Sequence, residues 1–348
     1  MNVCVLVPCF NEERYLPEFI KGLKRQSILQ EDGVRVIFLI IDGGSQDGSR
    51  GLLEALSKDF EILQLIDNPE RFVSNGLNAG IEYGLNWGAD YFVRMDMHAE
   101  YPDDYISELV ARSTAQSKSG VNLGNYGGVV DTVAPDSSLK AAIIAKALAS
   151  RFGVGGSLFR VGTSKIQSVD TVPFGCFPRK VFLEVGRFDT ELIRNQDDEF
   201  NGRLKNAGYD ILLDPGIVVK YFPRADFSRL GRMFYQYGYF KPFVNKKLGQ
   251  PAAYRQFAPP ILVVSLLFSF LMVGFTVLPL FLLLGAYCSF CVAFYLVDVR
   301  SSSCRGVRAM SLAVQSLAVV HLSYGSGYCV GQVRSLVGMG SGVVGSSR

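Results

Sequence analysis

The sequence predicts an α/β domain built on a mostly parallel sheet, followed by α-helical transmembrane segments. Three observations carry that expectation. Strand-like apolar runs alternate with helix-like periodic stretches through the first hundred residues. Polar clusters fall immediately after three of those runs. The stretch 258–297 contains no charged residue at all.

Residues 3–7 form a short, almost unbroken apolar run, as a strand buried on both faces requires. Leu16, Phe19, Ile20 and Leu23 follow at the i, i+3, i+4, i+7 spacing of an amphipathic helix. Residues 34–41 are β-branched and predict a second strand. Leu52, Leu53 and Leu56 mark a second helix, with Asp47 its expected N-cap. A third strand is expected at 62–66, a third helix at 75–87 and a fourth strand at 91–95. Repeated β-α-β units imply right-handed crossovers and helices covering a parallel sheet. Ligands of such sheets bind beyond the carboxyl ends of the strands. The polar clusters after Val7, Ile41 and Met95 all lie at those ends, so the functional site is expected there.

Composition narrows the class. With 348 residues there is room for one large or two modest domains, at roughly 100–200 residues each. A net charge of +3 is too small for a nucleic-acid footprint, and no nucleic-acid partner is expected. Seven scattered cysteines do not make a disulfide framework. Cys288 and Cys291 lie inside the apolar run and read as small packing residues rather than a redox pair. The N-terminus has no basic residue before its short apolar run, unlike a signal peptide, so the soluble part is expected in the cytoplasm.

Three regions follow from these patterns: an α/β domain at 1–225, an amphipathic basic interface segment at 226–257, and a membrane region at 258–348. The charge-free stretch, broken near Pro279, is long enough for two helices in a hairpin at about 20 residues per span. Arg300, Arg305 and Arg308 after it, and Arg224 to Lys247 before it, place both ends on the cytoplasmic side. A third apolar segment, 310–330, either spans or lies at the interface. Leu230, Phe234 and Tyr237 form an apolar stripe expected to enter the headgroup region, or to pack on the catalytic domain instead. Gly153, Gly155 and Gly156 either hinge a loop over the site or form turns.

The chemistry concentrates in three clusters. Asp96 and His98 leave a strand end one residue apart, so both side chains can reach one cation. Asp42 opens a glycine-rich stretch at the neighbouring strand end, where the backbone can approach a ligand closely. Asp197, Asp198 and Glu199 are consecutive acids at a helix start. They either complement the helix dipole or supply a general base.

Taken together these clusters resemble the family 2 glycosyltransferases, which have the GT-A fold. Pro8-Cys9-Phe10-Asn11-Glu12 resembles the family's P-x-[YF]-N-E opening. Asp42 to Ser49 resembles DDGSxDGT, with Gly43 replacing the second Asp. Asp96-Met97-His98 stands where DxD is expected, and Val185-Gly186-Arg187-Phe188-Asp189 resembles VGxFD. Gln196-Asp197-Asp198-Glu199 with Arg203 resembles ED-x-[DE]-x3-R. The likeness covers about residues 1–225, and is narrower toward membrane-anchored transferases of bacterial exopolysaccharide (succinoglycan-type) assembly.

The resemblance implies an inverting hexosyltransferase. Pro8, Phe10, Glu12, Asp42, Arg71 and Asp96 would form the nucleotide-sugar site, with Phe10 stacked on the base and Asp42 accepting a hydrogen bond from it. Asp96 and His98 would hold Mn²⁺ or Mg²⁺, and the imidazole, a softer ligand, favours Mn²⁺. Asp197 would deprotonate the acceptor. A UDP-sugar donor, a lipid-linked oligosaccharide acceptor and a place in the bacterial inner (cytoplasmic) membrane, with the catalytic domain cytoplasmic, complete the expectation. A processive synthase is disfavoured because the family's [QR]xxRW motif needs a tryptophan and Trp87 is the only one, far upstream. A catalytically inactive membrane-tethered module is disfavoured by the joint presence of Asp42, Asp96 and Asp197.

Overall fold

The computed structural model describes residues 1–300, 304–340 and 342 of the chain. The chain divides into two compact units, one from Met1–Val130 and Gly162–Tyr221, the other from Asp131–Val161 and Phe222–Arg348.

In chain order the first unit begins with Asn2–Cys9 (β1), Leu16–Lys24 (α1), Arg35–Asp42 (β2), Ser49–Lys58 (α2), Leu63–Asp67 (β3), Val73–Trp87 (α3) and Tyr91–Arg94 (β4). Ala99–Glu100 (β5), Tyr105–Lys118 (α4) and Leu123–Thr132 (β6) follow. After the excursion Leu139–Ala149 (α5), Arg151–Val154 (α6) and Leu158–Val161 (α7), the chain returns with Gln167–Ser168 (β7), Cys176–Pro178 (β8), Arg179–Glu184 (α8), Gln196–Asn206 (α9) and Asp210–Tyr221 (β9). The last helices are Phe227–Leu248 (α10), Ala258–Leu271 (α11), Leu278–Phe294 (α12) and Val307–Leu336 (α13).

The sheet runs β3-β2-β1-β4-β8-β6-β9-β5, with β7 on β9. Its first four strands are parallel, in the register Val5↔Phe38 and Val5↔Val93. The β4–β8, β8–β6, β9–β5 and β9–β7 pairings are antiparallel, so the sheet is mixed, parallel where the β-α-β pattern is legible. Val3, Cys4, Val5, Phe38, Leu39, Ile40, Phe92 and Val93 are fully buried, because helices cover both faces of these strands. The chain leaves β1 in one direction to β2 and in the other to β4. That switch point leaves a crevice at the carboxyl ends of the three strands.

The helix after β2 is not capped as expected. Gly48 is the N-cap of α2, and Asp47 accepts from Ser49 N at 3.0 Å one residue outside the helix. Gly48 N already donates to Glu13 Oε2.

The second unit is helical. Ile143 and Ala147 of α5 pack with Cys291 and Phe294 of α12 and with Ala309, Ala313 and Leu317 of α13. Helices α10 and α13 approach through glycines: a Cβ on Gly238, Gly327 or Gly331 would lie 2.0–2.1 Å from Tyr324 O, Tyr235 O or Tyr239 O of the facing helix. Small residues permit such backbone approach. His321 bonds Tyr287 Oη at 3.0 Å and Phe152 O at 2.9 Å, tying α13 to α12 and α6.

Residues Tyr254–Gly274 and Leu278–Val299 are long and apolar enough to cross a membrane, with mean hydropathies of 2.2 and 2.3. Little of either is buried: Leu267, Phe270, Phe275 and Phe281 are all exposed. Prolines open both helices, where a missing N–H costs no bond. The hairpin break therefore falls just before Pro279, at 272–277.

Two sequence expectations change here. Leu230 and Phe234 are buried against Ile144, Leu148 and Val320, with Tyr237 packed beside them, so the stripe faces protein within its own unit rather than lipid. The cover comes from α5, whose place in this unit the sequence pattern does not reveal. Gly153 is a packing glycine, its Cβ position 2.0 Å from Ala147 O, and lies in a short helix rather than a hinge.

Candidate active site

The crevice is walled by the loops after β1, β2 and β4. The first two are stitched together. Asn11 N donates to Ser45 Oγ at 2.9 Å, and Asn11 Oδ1 accepts from Gln46 N at 2.7 Å. Glu12 N donates to Ser49 Oγ at 2.8 Å, and Glu13 N to Asp47 at 3.2 Å. Pro8, one residue before the end of β1, pairs with Ile41, and Phe10 lies just beyond the strand, its ring 3.4 Å from the position a Cβ of Gly43 would take. Burial pushes the Cys9 thiol up to about 12, so it offers no thiolate.

Asp42 closes β2 and is buried. Its Oδ1 accepts from Ser45 Oγ at 2.6 Å and Ser45 N at 3.1 Å, and Arg50 Nη1 stands 3.7 Å from Oδ2. Arg50 also pairs with Asp67 at the end of β3. Arg71, which is exposed, has φ +65°, and its Nε is 3.8 Å from the Cβ position of Gly44. Arg71 therefore borders the Asp42 loop.

Asp96 follows β4 directly. Its backbone N donates to Tyr101 Oη at 2.7 Å, and its Oδ1 accepts from His98 N at 2.9 Å. The His98 ring reaches across to the first loop, with Nε2 3.0 Å from Oε1 of the buried Glu12 and the Tyr15 ring edge-on at 4.7 Å. Glu12, His98 and Asp96 thus meet from two loops. Among the described residues no group of three or more His, Cys, Asp or Glu side chains gathers as a metal cage. The donor set Asp96 and His98 fits a divalent cation that takes its remaining ligands from a bound diphosphate, rather than a resident structural metal.

The acids of α9 separate by environment. Glu199 is buried and forms a two-pronged pair with Arg203, Nε–Oε1 2.5 Å and Nη2–Oε2 3.0 Å. Arg203 in turn donates to Val185 O at 2.9 Å and to Arg187 O at 2.5 Å. Glu199 thus fastens the Val185–Asp189 stretch to α9, whose Phe188 packs 4.8 Å from Phe200 in the core. Asp197 is one-third exposed, and Arg94 Nη1 lies 4.0 Å from its Oδ2. Because Arg94 is two residues before Asp96, that pair brings the acid of α9 to the loop that bears Asp96 and His98.

Sequence reading missed several supports. Asn125 Nδ2 donates to Asn201 Oδ1 at 2.9 Å and Asn201 Nδ2 to Thr171 Oγ1 at 2.8 Å, a buried amide chain anchoring α9. Asn78 exchanges two hydrogen bonds with the Phe188 backbone. Both look like surface polar residues in sequence. Only burial identifies them.

A mixed sheet with nucleotide-type loops at its parallel carboxyl edge, an acid on a neighbouring helix and apolar helices beyond define a GT-A glycosyltransferase. Residues 4–170 match the family described as Glycosyl transferase family 2. The chain is 31% identical over 234 residues to the succinoglycan biosynthesis protein ExoA of Rhizobium meliloti, covering 67% of each. It belongs to glycosyltransferase family 2. It is also 28% identical over 248 residues to a dolichyl N-acetyl-alpha-D-glucosaminyl phosphate 3-beta-D-2,3-diacetamido-2,3-dideoxy-beta-D-glucuronosyltransferase of Methanococcus voltae, covering 70% of this chain and 74% of that one. Among solved structures, the mannosyltransferase PcManGT from Pyrobaculum calidifontis, in complex with GDP-Man and Mn²⁺, superposes with a TM-score of 0.53 at 16% identity, covering 96% of this chain and 86% of that chain.

Proposed function

We propose that the chain transfers a sugar from a UDP-sugar to a lipid-linked glycan in one inverting displacement, as part of bacterial exopolysaccharide or envelope glycan assembly. The observation that carries the reading is the Arg94–Asp197 approach of 4.0 Å. It sets a partly exposed carboxylate beside the loop that bears Asp96 and His98.

In this mechanism Pro8, Phe10, Asp42 and Arg71 hold the nucleotide, with Phe10 against the base and Asp42 accepting a hydrogen bond from it. Asp96 and His98 hold Mn²⁺ or Mg²⁺ at the diphosphate; when bound, the cation offsets charge developing on the leaving group. Asp197 takes the proton of the acceptor hydroxyl as that oxygen attacks the anomeric carbon from the opposite face. Arg94, 4.0 Å away, helps to aim the Asp197 carboxylate. Glu199 has no such freedom, because both its oxygens are engaged by Arg203.

The two apolar helices support membrane anchoring, and in this reading the enzyme sits in the bacterial inner membrane with its catalytic unit cytoplasmic. A polyprenyl-linked acceptor offers its sugar at that surface. The ExoA protein and the dolichyl-sugar transferase named above are relatives whose descriptions name polysaccharide assembly and a lipid-linked sugar. The test is transfer by purified protein from a panel of nucleotide-sugars to lipid extract, with the anomeric configuration of the product read by NMR. Transfer with retained configuration overturns the single-displacement mechanism, and no transfer from any UDP-sugar overturns the donor class.

A further inference from the structure

We propose that Glu12 is a positioning residue for His98. Its carboxylate holds the imidazole with the proton on Nε2, which makes Nδ1 the nitrogen that donates to the divalent cation. This rests on the reading of Asp96 and His98 as cation ligands.

The geometry is specific. Glu12 Oε1 lies 3.0 Å from His98 Nε2, and the Glu12 side chain is only 8% exposed. A carboxylate can only accept, so the ring nitrogen facing it donates, and the lone pair of the neutral imidazole falls on Nδ1. The backbone that carries the carboxylate is itself held. Glu12 N donates to the buried Ser49, and Glu12 O accepts from Tyr15 N at 2.9 Å and Leu16 N at 3.1 Å at the start of α1. Tyr15 stands edge-on to the imidazole, and His98 N is held by Asp96. A carboxylate behind a metal-binding imidazole fixes its tautomer and raises its basicity.

The arrangement also gives a reason for an imidazole at position 98. A carboxylate there would face Glu12 with no proton to share, whereas His98 brings an N–H. Glu12 acts on the cation through His98.

The chain has two histidines, His98 and His321, so selective ¹⁵N-histidine labelling of the full-length protein in detergent gives two ring systems. His98→Gln assigns them. At alkaline pH, two-bond proton–nitrogen correlation is expected to show His98 protonated on Nε2 in the wild type, and a mixed tautomer in Glu12→Ala. Mn²⁺ added with UDP is expected to broaden the His98 signals. Glu12→Ala should weaken Mn²⁺ binding, followed by electron paramagnetic resonance with UDP present, by about ten- to a hundredfold. In the His98→Asp background the same Glu12→Ala change should cause no further loss.

Should Glu12→Ala not fold, Glu12→Gln keeps the shape without the charge and should weaken Mn²⁺ several-fold. An unchanged tautomer and unchanged Mn²⁺ affinity on replacing Glu12 overturn the positioning role alone. Sharp His98 signals in the wild type with Mn²⁺ and UDP overturn the cation reading beneath it.

Discussion

Replacing Arg203 by methionine separates the structural acid of α9 from the catalytic one. The change removes a guanidinium that engages both oxygens of Glu199 and the carbonyls of Val185 and Arg187. It leaves a carboxylate that is 2% exposed with no counter-charge. Breaking a buried pair by removing one partner costs about 3–5 kcal/mol. Arg203 is itself 27% exposed, so the lower end, about 3 kcal/mol, applies. At about 2–4 °C per kcal/mol for a unit of this size, thermal unfolding should fall by roughly 6–12 °C.

The double variant Arg203→Met, Glu199→Leu should recover most of that loss, because no charge is then stranded. Asp197→Asn should leave the melting temperature within about 2 °C, as expected for a change well under 1 kcal/mol. It should lower transfer by about 10²–10⁴-fold with donor binding kept. The assay is differential scanning fluorimetry of detergent-purified protein, paired with transfer rates. Glu199→Gln that abolishes transfer at an unchanged melting temperature would show the acids to be assigned the wrong way round.

Four further outcomes follow. EDTA should stop transfer, with Mn²⁺ restoring it at least as well as Mg²⁺, and His98→Asp should move the preference toward Mg²⁺; full activity in EDTA sinks the cation. Gly327→Ala sets a Cβ 2.1 Å from Tyr235 O, so α10 and α13 must separate. Overpacking of that kind costs about 1–3 kcal/mol, and a melting temperature at or above wild type refutes the packing. Leu267→Lys with Phe270→Lys puts charges into an apolar span at about 2.5–3.5 kcal/mol each. Membrane retention after carbonate washing should drop, and wild-type protein released by carbonate alone would refute the anchor. Arg71→Gly removes an unfavourable φ of +65° and should raise the melting temperature slightly while weakening UDP binding; tighter UDP binding would exclude Arg71 from the donor site.

The parallel half of the sheet was legible because its signal is local. Buried strands of apolar residues and amphipathic helices such as α1 repeat within short windows, and the order β-α-β fixes handedness. The antiparallel half was not, because β7 and β8 are two and three residues long and their pairing is decided by partners far away in sequence. The return of 131–161 to the helical unit was illegible for the same reason. Helix α5 carries apolar residues on most of its faces, so its pattern does not say what it packs against. At the site, the resemblance proposes Asp42, Asp96 and Asp197, while the run of three acids by itself does not separate Asp197 from Glu199. The distinction lies in Arg203, whose guanidinium is one helical turn from Glu199, and in Arg94, contributed by β4.

Backbone strain gives an independent line to the same place. The non-glycine residues with positive φ among the described residues are Asn11, Arg71 and Asn195. Each adjoins a different proposed element: the loop after β1, the nucleotide edge, and the start of α9. Asparagine tolerates this conformation at small cost, and Asn11 is locked there by bonds to Ser45 and Gln46. Arginine has no such compensation in its own side chain, and strain of this kind costs about 1–3 kcal/mol. A fold that carries that cost at Arg71 is holding a side chain where local preference would not put it. For Asn195 the consequence is direct: the left-handed turn sets the N-terminus of α9, its carbonyl accepting from Glu199 N at 3.0 Å. Asp197 then falls in the first turn, where Arg94 can reach it.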